Sequence, residues 1–197
     1  AINEGFEINQ ARLGTKIHDA KDPALHLAPM FRQVVGTMFS LMRAYEQNWL
    51  NVTGSEPVSA DGATFAEEPE PVSVSLGTLV ERFKEGVDNL HVFWSRFLSE
   101  EILKKVRAAT QFALPEFSFP AHLWVNCVFE FAVAYHKPGL DPNEVVDSLT
   151  PLYFGRTAGF VRETEEMHSA QAEAAIERVA ELFEEQKPRL VSLWSEK

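Results

Sequence analysis

From Leu27 to the C-terminus, bulky apolar residues return every three or four positions, and that period commits most of the chain to amphipathic helices. The first stripe runs Phe31, Val35, Met38, Met42, Tyr45 and Trp49. Nothing polar and convergent interrupts it, so it reads as the core-facing side of a helix. A second stripe follows in Leu79, Phe83, Val87, Leu90, Trp94 and Phe97. Ser99-Glu-Glu then opens a short helix to about Thr110, and Pro115 and Pro120 punctuate the turn after it. The segment from Ala121 to His136 is apolar almost all round, through Leu123, Trp124, Val128, Phe131, Ala132 and Tyr135, which predicts the central, most buried helix.

Asp141-Pro-Asn-Glu144 marks the next start: Asp supplies an N-cap, Pro suits the first helical position, and Glu follows three residues after the cap. That helix should run through Val145, Leu149, Leu152 and Tyr153 towards Phe160. Pro151, Gly155 and Gly159 within it predict a kink or a close helix crossing. Ile176, Ala180, Phe183, Leu190 and Trp194 stripe an acidic C-terminal helix, bent or broken near Pro188. Residues 53–75 lose all periodicity and collect Gly54, Pro57, Gly62, Pro69 and Pro71 with three glutamates, the pattern of an exposed, mobile connection. No internal repeat is present, which disfavours a solenoid.

The opening residues break the helical rule. Ile8, Ala11 and Leu13 alternate roughly as a strand, and Gly14 to Pro23 gather Lys16, His18, Asp19, Lys21 and Asp22 in a loop. A lone strand has no sheet of its own to join, so residues 1–26 are expected to be the strand-loop edge of a missing α/β catalytic domain, and 27–197 a helical C-terminal domain.

The 197 residues, 45% of them hydrophobic, suffice for a real core. The net charge of −11 argues against nucleic acid as a partner, because 18 basic residues are scattered among 29 acids. No apolar run reaches the ~20 residues of a membrane span, and the expected address is the cytoplasm. The single cysteine, Cys127, lies in an apolar run and reads as a packed thiol.

Common catalytic signatures are missing: the chain holds no phosphate-binding glycine loop, His-Glu-x-x-His, nucleophile elbow or Asp-x-Asp pair. His26, His91, His122 and His136 fall in or beside helices without paired ligand spacing and read as structural or surface groups, and His168 as exposed near a helix junction. Arg156, inside an apolar run, reads as a buried guanidinium paired with an acid, for which Glu130 is one candidate. His18 differs, since it follows a strand beside Asp19 and between two lysines, a setting suited to a metal and to phosphates.

Four segments carry a resemblance. Leu13-Gly-Thr-Lys-Ile-His-Asp-Ala-Lys-Asp-Pro23 and Pro29-Met-Phe-Arg-Gln-Val-Val-Gly-Thr-Met-Phe39 resemble the junction between catalytic and C-terminal regions in the glucosylglycerate and mannosylglycerate synthase group of glycosyltransferases. Phe119-Pro-Ala-His-Leu-Trp124 and Phe131-Ala-Val-Ala-Tyr-His-Lys137, with Ser148-Leu-Thr-Pro-Leu-Tyr-Phe-Gly-Arg-Thr157, resemble that group's helical tail. The resemblance implies a metal-dependent, retaining hexosyltransferase that uses a nucleoside-diphosphate sugar and glycerate or a similar small acceptor. It places His18 as a ligand to a divalent metal, Mg or Mn, and Lys16, Asp19 and Lys21 where they could touch the donor diphosphate or an anionic acceptor. The chain by itself, without the nucleotide-binding domain, is then expected to be inactive and to hold no metal, and its helices to brace the site or form a homodimer surface. The alternative is a non-catalytic helical interaction or dimerisation module, in which Trp49, Trp94, Trp124 and Trp194 serve packing and partner binding.

Overall fold

The fold is all-α. The computed structural model describes residues 9–11, 23–55, 58, 60–62 and 74–196. Eight α-helices occupy the described residues: α1 (Pro23–Ala44), α2 (Glu46–Trp49), α3 (Leu76–Trp94), α4 (Glu100–Ala109), α5 (Ala121–Ala134), α6 (Pro142–Thr164), α7 (Ser169–Glu185) and α8 (Lys187–Ser195). Two short strands, β1 (Gln10–Ala11) and β2 (Ala60–Asp61), pair in parallel with Gln10 opposite Ala60. This corrects the expectation of an unpartnered strand: β1 finds its neighbour inside the segment read as an irregular connection.

Local signals set the helix boundaries. Ser99 caps α4 by accepting from the Ile102 amide, and Asp141 caps α6 by accepting from the Asn143 amide at 2.8 Å. The C-terminal stripe is broken at Gln186, between α7 and α8, with Pro188 in the first turn of α8, where its missing N–H costs nothing.

α5 and α6 form the centre, with nine residues of α5 buried, and α6 packs against α1, α3 and α5. Glycines of α6 let it approach α3 and the turn before α5 closely. Gly155 lies under the Phe83 ring, where a Cβ would come within 2.7 Å of Cδ2, and a Cβ on Gly159 would lie 2.9 Å from the Phe119 carbonyl oxygen. The close-crossing expectation for α6 therefore holds. Phe83 fills the gap with Phe117 and Phe119, both edge-on to it. A smaller apolar cluster of Val125, Phe129, Leu190 and Trp194 closes α8 onto α5.

The α1 stripe needs correction. Phe31 is buried and Val35, Met42, Tyr45 and Trp49 are half-buried, but Met38 faces out and Phe39 takes the core position with no exposure. Met30, Val34, Met38 and Leu41, at spacings of three and four, instead form an exposed apolar line along α1.

Candidate functional site

Lys16, His18, Asp19 and Lys21 lie outside the described residues. Among the described residues, no three His, Cys, Asp or Glu side chains are grouped so as to hold a metal ion. The candidate chemistry of the described part therefore lies in its buried ionic groups and the clefts beside them.

Arg156 projects from the middle of α6 and is almost fully buried. Its partner is not Glu130 but Glu163, two turns further along the same helix and so on the same face. The pair is bidentate: Nη1 donates to Oε1 at 2.7 Å and Nη2 to Oε2 at 2.8 Å. Nη1 also donates to the Phe119 carbonyl at 2.9 Å, tying α6 to the turn just before α5. The guanidinium stands over the Phe160 ring, 5.6 Å from its centre. The structural role expected of Arg156 is thus present, with a different acid: helix periodicity puts Glu163 on its face, and Glu130 is engaged elsewhere.

Glu130 is satisfied elsewhere. Its carboxylate accepts from Arg189 Nη2 of α8 at 2.5 Å and from the Ser99 amide at 2.7 Å, while Arg189 Nε donates to Asn126 at 2.7 Å. One buried acid therefore fastens α8 and the start of α4 to α5. Cys127, on the same helix, is fully buried; burial, and after it the Glu130 carboxylate, pushes its thiol far above the ordinary range. That thiol is inert at neutral pH, as the apolar run around it predicted.

The histidines sort as structural or surface groups. His136 Nε2 meets the Phe39 carbonyl at 2.8 Å, His91 Nδ1 meets the Asp88 carbonyl at 3.0 Å, and His122 and His168 are exposed, the latter as the N-cap of α7. The side chain of His26 is outside the described residues.

Beside Arg156 the helices part. α7 has no buried residue along its seventeen, and between it and α6 runs a cleft of about 430 Å³. Trp124, Tyr153 and Phe160 line one wall, Ile176, Val179 and Phe183 the other, with Arg156 and Thr157 among the lining. Burial raises the Tyr153 phenol above its usual range, against a smaller opposing contribution from the Thr157 hydroxyl. Sequence reading assigned Trp124, Tyr153 and Phe183 to the core and missed the cleft. The available signal was an apolar α7 stripe interrupted by too many acids to lie deep against a neighbour.

Comparison with family models, curated proteins and solved structures returns no match.

Proposed function

We propose that this chain is the helical C-terminal domain of a metal-dependent, retaining glycosyltransferase that moves a hexose from a nucleoside-diphosphate sugar to glycerate or a similar small acceptor. The carrying observation is spatial. The segments on which the resemblance rests, far apart in sequence, meet one another: Phe31 stacks on Tyr153 at 4.4 Å and lies 6.4 Å from Trp124, His136 bonds the Phe39 carbonyl, and Arg156 bonds the Phe119 carbonyl. Residues quoted for the resemblance are therefore those that build this domain's frame, as expected if the whole helical tail is shared. The frame leads directly to the loop of interest, since α1 begins at Pro23, five residues after His18.

On this reading the helices brace the His18 loop. His18 is a metal ligand with no acid or base role, and Lys16, Asp19 and Lys21 face the diphosphate or the acceptor. A bound divalent ion supplies charge stabilisation for the departing diphosphate. The test is transfer by the longer enzyme: nucleotide-sugar consumption that requires metal, falls with His18→Ala and is missing from the 197-residue chain alone supports the proposal. A longer enzyme with no sugar transfer overturns it.

A second reading, a helical interaction or dimerisation module, draws on the apolar line of Met30, Val34, Met38 and Leu41. Sedimentation distinguishes it: concentration-dependent association removed by Val34→Glu, in a longer protein without transferase activity, favours the module.

A further inference from the structure

We infer that the cleft between α6 and α7 binds a small carboxylate carrying an apolar or aromatic body, with Arg156 as the recognition group. The inference is independent of the glycosyltransferase reading. A guanidinium has five N–H donors in a fixed planar fork. Three are used on Arg156: both outer donors that grip Glu163, and the second hydrogen of Nη1, which meets the Phe119 carbonyl. The remaining two, on Nε and Nη2, are parallel neighbours along the other edge of the same plane, and they have no acceptor among the described residues. That edge matches the two oxygens of a carboxylate. It belongs to a side chain only 6% exposed, and Arg156 lines the cleft, through which a ligand reaches that edge.

The walls specify the rest of the ligand. At about 430 Å³ the cleft is within the range that holds a small molecule, and its surface is mostly aromatic and aliphatic. Trp124, Tyr153 and Phe160 offer ring faces and edges, opposite Ile176 and Val179 of a helix that has no buried residue. A flat apolar body gives both walls the contacts they lack. Glu163 stays in place on the outer edge, so the bound guanidinium is shared between two carboxylates. With a net charge of −11 the chain as a whole exerts no pull on anions, and recognition rests on this short-range contact.

The probe is 3-phenylpropanoate, titrated into the full 197-residue chain and followed by backbone amide shifts, with 3-phenylpropanamide as its uncharged counterpart. Saturable shifts are expected at Phe160, Ile176 and Ala180, with the carboxylate binding at least about tenfold tighter than the amide. Arg156→Lys, which lacks the planar fork, should bring the carboxylate down to the amide's affinity. Should that variant fail to fold, Ala180→Trp carries the test from the exposed side of α7: it fills the cleft, leaves Arg156 untouched and should abolish the shifts. Absence of saturable shifts with the carboxylate, equal binding of the amide, or binding that survives Ala180→Trp overturns the inference.

Discussion

Gly86 of α3 lies so close to Pro151 of α6 that a Cβ on the glycine would stand 2.1 Å from the proline's Cβ. The most extensive helix pairing of the fold, α3 against α6, thus depends on a missing side chain. The proline ring, which a helix interior normally penalises, fills the hollow that the glycine leaves.

Gly86→Ala should therefore destabilise by about 1–3 kcal/mol or more, since α3 and α6 have to separate to admit one methyl group. Gly155→Ala should act alike against the enclosed Phe83 ring. Gly77, in the first turn of α3, has nothing within 4 Å of its would-be Cβ, and Gly77→Ala should stabilise by about 0.4–1 kcal/mol. Urea unfolding of the three variants checks the contrast; equal effects at all three sites would place the crossing elsewhere.

The two sides of α1 should respond oppositely to substitution. Phe39→Ala removes a fully buried ring and should cost about 3–5 kcal/mol. Val34→Glu, on a side chain 63% exposed, should change the stability of the monomer by no more than ~0.5 kcal/mol. Denaturant midpoints at low protein concentration measure both.

Glu130→Gln should weaken the fold by about 1–3 kcal/mol, because it removes the charge that Arg189 and the Ser99 amide share. The loss stays moderate since Arg189 is 37% exposed and can turn to water. Hydrogen exchange should report α8 opening before α5 does. Unchanged protection in α8 would mean that its apolar contacts alone hold it.

Alkaline pH should destabilise the protein through Cys127. The folded thiol is held protonated by burial, and then by Glu130, whereas in the unfolded chain it ionises near ~8.5. The folded state therefore binds more protons above that pH, so the stabilisation is full below about 8.5 and declines as pH rises, by up to ~1.4 kcal/mol per unit. Tyr153, also raised by burial, adds to the decline at still higher pH. Cys127→Ala should flatten the curve between pH 8 and pH 10, roughly the span separating the unfolded thiol from the unfolded phenol. A thiol reagent at pH 8, just below the ordinary thiol range, should label the native protein only at its unfolding rate.

Features written in a few neighbouring residues were legible beforehand: the caps at Ser99 and Asp141, the break before Pro188, the buried α5. Their physics is local, so a single sequence suffices. Met38 and Phe39 show where it stopped sufficing. α1 carries two apolar lines about 100° apart, as adjacent helical positions are. Only the placement of α5 and α6 decides that Phe31 and Phe39 turn inwards. The partner of Glu130 escaped for a related reason: Glu130 and Arg189 are 59 residues apart, and their meeting is a property of the packed bundle, whereas Glu163, seven residues from Arg156 on one helix face, was within reach of the helical period and was overlooked. The α6–α7 cleft was hidden by the same ambiguity, since aromatic side chains lining a groove and filling a core have one sequence pattern.

The central proposal, that the helical frame serves a sugar-transfer site completed by His18, is tested most directly by replacing that residue in the longer enzyme that the proposal requires. His18→Ala should fold normally, bind divalent metal more weakly by calorimetry and lose sugar transfer by on the order of a hundredfold, as expected when stabilisation of the departing diphosphate is removed. Wild-type turnover and unchanged metal affinity in the His18→Ala enzyme would contradict the account.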